Sequence, residues 1–264
     1  MSFRWLRRPI RGVLLDISGV LKDGSTVIPG SVEAVNLLRE SGLALRLVTN
    51  ESQETRSSLA EKLSSLGFSV HERDIIPPGP TLVDLLLREN LRPHLLVHPD
   101  LVAEFKGIDT SNPNCVVIGD AAESFTYENL NKAFRVLIDA KEPRLFTLGR
   151  GRYYKEKDSL MLDVGVFAVA LEYASGVKAE VVGKPHPDFF KAALRDIGVD
   201  AEEAVMIGDD LLSDVGGAQN CGLAGVLVRT GKFRPCDETN PSVKPDAIVD
   251  NLAQAVQLLL KSEH

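Results

Sequence analysis

Short apolar runs alternate with amphipathic stretches along most of this chain, the pattern of a parallel α/β sheet covered on both faces. Six runs read as strands: Gly12–Ile17, Ala44–Thr49, Ala179–Val182, Ala204–Ile207, Ala224–Val228 and Ala247–Val249. Each is rich in Val, Leu or Ile and is bounded by Gly, Asp, Asn or Pro, which stop a strand after a few residues. The spacing between them predicts helices. Ser31–Ser41 sets Val32, Val35, Leu37 and Leu38 on one side and stops at Gly42, and Ser52–Leu66 stops at Gly67. Pro187–Ile197 opens on a proline, tolerated at a first helical position because its missing N–H has no partner there, and stops at Gly198. Asn251–Leu260 follows the last strand.

The segment Asp74–Pro80 breaks this rhythm with Pro77, Pro78, Gly79 and Pro80. Beyond it, Leu95–Val97, Cys115–Ile118 and Leu145–Leu148 read as strands, and Leu82–Arg88, Tyr127–Ile138 and Val166–Tyr173 as helices. The expected architecture is a Rossmann-like, doubly wound parallel sheet formed by residues 1–78 and 179–264. A smaller α/β cap domain is expected to be inserted at residues 79–178.

The chain has 264 residues and a formal charge of −7, with its acidic groups spread along the sequence. A nucleic-acid binder presents a basic field, so no nucleic-acid partner is expected. No apolar stretch reaches the length of a membrane span, so no membrane partner is expected either. Met1–Ile10 carries three arginines and a Trp without the apolar stretch of a secretory signal, and reads as a solvated lead-in. Cys115, Cys221 and Cys236 are odd in number and far apart. They suit reduced thiols in the cytosol better than a disulfide framework or a zinc site.

In open α/β sheets, ligands bind at the carboxyl ends of the strands. The first strand ends in Asp16-Ile17-Ser18-Gly19, a carboxylate followed by a turn. Taken alone, Asp16 is equally at home capping that turn. The second ends in Thr49-Asn50, a hydroxyl and an amide ahead of a helix start, suited to a phosphate or to simple N-capping by Asn50 or Ser52. Gly183-Lys184-Pro185 holds a lysine extended just past a strand end, where it can neutralise phosphate or lie solvated at the surface. Gly208-Asp209-Asp210 and Asp214 set three carboxylates after a wholly apolar strand. Their repulsion points to a hard divalent cation with oxygen ligands, against the alternative of a solvated acidic loop.

Together, Asp16-x-Ser18-Gly19, Thr49-Asn50, Gly183-Lys184-Pro185 and Gly208-Asp209 with Asp214 resemble the four ordered motifs of haloacid dehalogenase superfamily phosphatases. The large insertion between the second and third motifs resembles the subgroup that contains nitrophenyl and pyridoxal phosphate phosphatases. Leu15–Leu21, Thr49–Gln53, Asp109–Val117, Gly151–Glu156, Leu160–Gly165 and Thr230–Pro235 extend the likeness, within that family, to enzymes acting on P–N and P–O–P bonds.

The resemblance implies a nucleophile at Asp16, which would form an aspartyl-phosphate. It implies Mg²⁺ held by Asp16, the Ser18 main-chain carbonyl and Asp209, with Asp214 one step behind. Thr49, Asn50 and Lys184 would bind the phosphoryl oxygens. It further implies phosphorylated small molecules or phosphohistidine and phospholysine side chains as partners, with pyrophosphate and imidodiphosphate among the substrates. A homodimer in the cytoplasm, with the nucleus also open to it, completes the implied picture.

One departure bears on the chemistry. Most phosphatases of this superfamily carry a second Asp two residues after the nucleophile, as general acid and then base. Here that position is Ser18, whose hydroxyl is far from the pKa such catalysis needs. Either the enzyme works on leaving groups that need little help, or the chain is a phosphate-binding scaffold, a pseudo-phosphatase weakened by Ser18. A receiver-like domain phosphorylated on Asp16 fits the inserted module and the late Asp209/Asp214 pair less well. The loop Gly149–Lys155 is glycine-rich, cationic and aromatic, and reads equally as a contact for an anionic leaving group and as a solvated loop.

Overall fold

The computed structural model describes residues 9–156 and 159–261. Most of the lead-in expected over Met1–Ile10, namely residues 1–8, lies outside the described residues. The chain divides into two compact units, one of Met1–Thr49, Ala60–Ile76 and Lys184–His264, the other of Asn50–Leu59 and Pro77–Gly183.

The first unit is built on a six-stranded, all-parallel sheet. Its strands are β1 (Gly12–Leu15), β4 (Ala44–Val48), β5 (Ile75–Ile76), β12 (Ala204–Gly208), β13 (Ala224–Val228) and β14 (Ala247–Val249), in the order β14-β13-β12-β1-β4-β5. A short antiparallel hairpin of β2 (Lys22–Asp23) and β3 (Thr26–Val27) follows β1. Residues of β1 and β12 are buried throughout, which explains why both read as continuous apolar runs rather than alternating ones. The helix Pro187–Ile197 lays Phe189, Phe190, Ala193 and Leu194 on the sheet against Leu14 and Met206. Each fully buried Phe or Leu there contributes about 1.5–3 kcal/mol. The sheet grows outward from β1 in one direction through β4 and β5, and from β12 in the other through β13 and β14. The order therefore reverses between β1 and β12, and the crevice beyond their carboxyl ends is where such sheets bind ligands.

The second unit holds a four-stranded parallel sheet, β6 (Pro93–Leu96), β7 (Cys115–Ile118), β8 (Arg144–Thr147) and β11 (Ala179–Val181), in the order β11-β8-β7-β6. Val116 and Ile118 of β7 pack toward Ala133 and Leu137 of helix Tyr127–Asp139 and Ala168 and Leu171 of helix Val164–Ser175. Cys115 and Val117 face Leu82 and Leu86 of helix Pro78–Arg88. The alternation along one strand thus closes two cores. A separate antiparallel hairpin pairs β9 (Tyr153–Glu156) with β10 (Ser159–Leu162).

The structure corrects the sequence reading in several places. The strand expected to reopen the first sheet at residue 179 belongs to the second. Ala179–Val181 pairs with Leu145–Thr147, and Arg144 grips the Glu180 carboxylate through Nε at 2.8 Å and Nη2 at 2.7 Å. Ile75–Ile76, not expected as a strand within the segment Asp74–Pro80, is the edge strand of the first sheet. The helix expected from Ser52 begins at Arg56, because the residues before it are committed elsewhere. The Glu51 carboxylate accepts from Gln53 N, and Ser52 Oγ and the Gln53 amide both hold Asp120. Finally, the Gly149–Lys155 loop runs directly into β9.

Candidate active site

Asp16 comes immediately after β1, with its backbone N–H donating to the Ile207 carbonyl of β12 at 3.0 Å. Both central strands therefore fix where its side chain starts. Lys184 is buried beside it, and its Nζ donates to Asp16 Oδ1 at 2.6 Å and to the Val48 carbonyl at 3.1 Å. The same ammonium lies 2.7 Å from Asp214 Oδ1. Asp16, Asp209 and Asp214 each offer a carboxylate oxygen, and these atoms all lie within 4.8 Å of one another. All three residues are buried.

The local sequence explains this convergence. Asp210 caps the turn that follows β12, accepting from Leu212 N at 3.0 Å and Ser213 N at 2.9 Å. Its own N–H donates to Asp214 Oδ2 at 3.1 Å. Asp214 is thereby folded back over Gly208, where any side chain would run into its carboxylate. Asp209 is held from another direction. Lys232 N donates to its Oδ2 at 2.7 Å. Gly19 and Gly231, both at positive φ, pack against the same oxygen where a Cβ on either would collide with it. Thr230 Oγ1 ties the two glycine turns together by donating to the Gly19 carbonyl.

The charges do not balance within this cluster. Burial, then repulsion from Asp16 and Asp214, pushes the Asp209 carboxyl well above its ordinary range. Burial likewise raises Asp214 to about 7, opposed by Lys184 and reinforced by Asp16 and Asp210. Burial works against the Lys184 charge, but Asp16 and Asp214 hold its pKa well above that of an ordinary lysine. Asp214 Oδ1, wholly buried, makes no hydrogen bond beyond its ion pair with Lys184. An all-oxygen donor set with surplus negative charge and an under-satisfied buried oxygen fits a hard divalent cation.

Thr49 is buried at the end of β4, one residue beyond the Val48 carbonyl that Lys184 contacts. Its N–H donates to the Ile76 carbonyl at 3.2 Å, anchoring it through β5. Asn50 belongs to the second unit, where its side-chain oxygen fills the space a side chain on Gly183 would take. Ser18 is exposed. The structure thus brings Asp16, Lys184, Asp209 and Asp214 into one cluster. Sequence reasoning did not single out Gly19, Gly231 or Lys232 as a clamp on Asp209. The available signal was a Thr-Gly-Lys turn just after the apolar strand β13, at the ligand-binding end of the sheet.

The Gly149–Lys155 loop is more structural than its composition suggests. Arg150 forms a two-pronged pair with Glu172, at 3.2 and 2.9 Å, and Glu172 also accepts from Ala179 N at 2.8 Å. Burial raises the Glu172 pKa, but the Arg150 and Ala179 hydrogen bonds outweigh it and hold the carboxyl below its usual value. Arg150 is therefore engaged within its own unit, while Arg152 is exposed.

A doubly wound sheet with carboxylates after its two central strands and a buried lysine between them matches one class of protein. The family model described as haloacid dehalogenase-like hydrolase matches residues 13–111, and a second, HAD-hydrolase-like model matches residues 181–255. The chain belongs to the haloacid dehalogenase-like hydrolases. Within that family it is 59% identical over 256 residues to the human phospholysine phosphohistidine inorganic pyrophosphate phosphatase, covering 96% of this chain and 95% of that protein. The Xenopus laevis protein of the same name is 57% identical over 259 residues, covering 96% of each. Among solved structures, the p-nitrophenyl phosphatase from Archaeoglobus fulgidus superposes with a TM-score of 0.88 at 27% identity, covering 95% of this chain and all of that one. Phosphatases of this family generally use a metal ion, in keeping with the carboxylate cluster.

Proposed function

We propose that this chain is a Mg²⁺-dependent phosphatase that attacks phosphorus with Asp16 and favours P–N and P–O–P bonds. The observation that carries the reading is the buried Lys184 between Asp16 and Asp214, with Asp209 within 4.8 Å of both carboxylates. The second unit is read as the cap inserted into the catalytic domain. Asp16, Asp209 and the Ser18 main-chain carbonyl would hold the ion, with Asp214 behind them. The ion's chemistry is to offset the repulsion between Asp16 and an anionic phosphoryl group. Thr49, Asn50 and Lys184 would bind the phosphoryl oxygens, meeting the charge of the transition state. Asp16 forms a bond to phosphorus as the P–N or P–O bond breaks, and the leaving group departs with the electron pair. Water then hydrolyses the aspartyl-phosphate.

Ser18 narrows the substrate class. With no carboxylic acid two residues after Asp16, a leaving group has to depart without a strong internal proton donor. Phosphohistidine, phospholysine, pyrophosphate and imidodiphosphate satisfy this, the first two by protonation on nitrogen and pyrophosphate by expelling an already acidic phosphate. The human and Xenopus laevis relatives, named for phospholysine, phosphohistidine and inorganic pyrophosphate, support that choice. The alternative raised by a serine at position 18 is a phosphate-binding scaffold without turnover. Phosphate release from imidodiphosphate and phosphohistidine, with Mg²⁺ and with excess chelator, separates the two. Turnover that needs metal and is lost in Asp16→Asn is the expected result. Full activity in chelator, or in Asp16→Asn, refutes the assignment.

The implied homodimer has support in the second unit. Leu160, Met161 and Leu162 of β10 and Val166, Val169 and Tyr173 on the following helix are exposed apolar side chains. The helical three recur at i, i+3 and i+7, one face of a helix, and among the described residues β10 pairs with β9 alone. A second copy pairing along that edge would cover them. Light scattering should give twice the monomer mass, reverting to one in Leu162→Asp; a wild-type monomer refutes the assembly.

A further inference from the structure

Two lysines face the carboxylate cluster, and their surroundings differ. Lys184 is buried and committed, at 2.6 Å to Asp16, 2.7 Å to Asp214 and 3.1 Å to the Val48 carbonyl. Lys232 is fixed at its backbone and open at its tip. Its N–H holds Asp209 Oδ2, Gly231 before it is wedged against Gly19, and Thr230 locks that turn to the Gly19 carbonyl. The base of the side chain therefore stands beside a candidate metal ligand. Yet the side chain is 48% exposed, and its Nζ lies 3.9 Å from Asp210 Oδ2, beyond hydrogen-bond length. The other Asp210 oxygen is already taken by the Leu212 and Ser213 amides. Lys232 is a cation beside the site, and among the described residues no carboxylate approaches it more closely than Asp210.

A monoester brings one phosphoryl group to such a site, whereas pyrophosphate or imidodiphosphate brings two. As Asp16 bonds to the first phosphorus, the bridging bond breaks and its electron pair stays on the bridging atom of the second group. That departing phosphate gains negative charge and needs a donor other than Lys184. We propose that the Lys232 ammonium binds the departing phosphoryl group and so sets the preference of this site for diphosphate-like substrates over simple monoesters. The inference rests on Asp16 as the attacking carboxylate. A charge-assisted hydrogen bond of this kind is worth about 10- to 100-fold in binding or rate.

The test compares wild type, Lys232→Met and Lys232→Arg as full-length proteins with Mg²⁺, on imidodiphosphate and on p-nitrophenyl phosphate. Methionine keeps the backbone N–H to Asp209 and removes only the charge. The ratio of kcat/KM for imidodiphosphate to that for the monoester should fall at least tenfold in Lys232→Met and recover for the most part in Lys232→Arg. In an Asp16→Asn background, calorimetry should show imidodiphosphate binding about tenfold more weakly when Lys232 is also Met. An equal loss on both substrates, or an unmoved ratio with both substrates turned over, overturns the role of Lys232 alone. Failure of the wild type to hydrolyse either compound overturns the Asp16 reading and this inference with it.

Discussion

Replacing Lys184 by Met tests whether the buried charges of this cluster are balanced as described. The substitution keeps most of the apolar stem and deletes an ammonium that answers Asp16 at 2.6 Å and Asp214 at 2.7 Å. Breaking a buried ion pair from one side costs about 3–5 kcal/mol, because the remaining charge is left uncompensated. Two carboxylates lose their partner here, so the upper half of that range is expected in metal-free protein at pH 8. At about 2–4 °C per kcal/mol for a domain of this size, the melting temperature should drop by roughly 8–20 °C.

The loss should depend on pH with a definite sign. Asp214 already sits at about 7, and without Lys184 its pKa rises further. A carboxyl with a folded pKa above its unfolded value binds more protons when folded, so its contribution worsens as pH rises through that window. The deficit of Lys184→Met should therefore be largest at pH 8 and should shrink toward pH 5, where Asp214 takes up a proton. Melting curves in chelator at both pH values, with Lys184→Met/Asp214→Asn recovering part of the loss, measure this. A deficit equal at pH 5 and pH 8, or one below about 2 °C at pH 8, refutes the picture of an unbalanced buried cluster.

Other outcomes follow from the same geometry. Because Asp209 and Asp214 are raised by burial and mutual repulsion, Mg²⁺ should raise the melting temperature more at pH 8 than at pH 5; equal increments count against carboxylate ligation. Ser18→Asp should raise activity on alkyl phosphates selectively and shorten the life of the aspartyl-phosphate; rapid quench showing no phosphoenzyme burst in wild type argues that Ser18 is not limiting. Arg150→Ala should lower stability by about 1–2 kcal/mol, discounted because the arginine is 40% exposed, while leaving KM for imidodiphosphate in place. A KM rise without loss of stability would instead give Arg150 a substrate contact.

Much of the first sheet and of the carboxylate cluster was legible because a fully buried parallel strand leaves a plain signature. Gly12–Leu15 and Ala204–Gly208 are apolar at every position on both faces, so a carboxylate at the end of each stands out. What sequence could not show was pairing. Ala179–Val181 has the same composition whether it joins one sheet or another, and the choice is made by its register with Leu145–Thr147 and by the Arg144–Glu180 pair 36 residues apart. The late start of the helix at Arg56 was hidden for a similar reason. Ser52 and Gln53 carry no helix-breaking signal, yet both are drawn to Asp120, more than 60 residues away in sequence. The clamp on Asp209 escaped notice because Gly19 and Gly231 are unremarkable turn residues until folding sets them against one carboxylate oxygen.

The strand order has a consequence for the sequence of events during synthesis. At the centre of the first sheet, β1 pairs with β12 at a separation of about 190 residues, Gly12 opposite Ala204. The nascent chain therefore carries β1 and β4 out of the ribosome long before the partner that completes the sheet exists. Nearly all of the second unit, by contrast, comes from the continuous stretch Pro77–Gly183, with its strands β6, β7 and β8 adjacent in both sequence and space. Low sequence separation speeds folding, so this unit is expected to acquire structure before β12, with Asp209 and Asp214 behind it, can pair with β1. The acidic cluster can assemble only once β12 pairs with β1, and chaperone demand should fall on the waiting N-terminal strands.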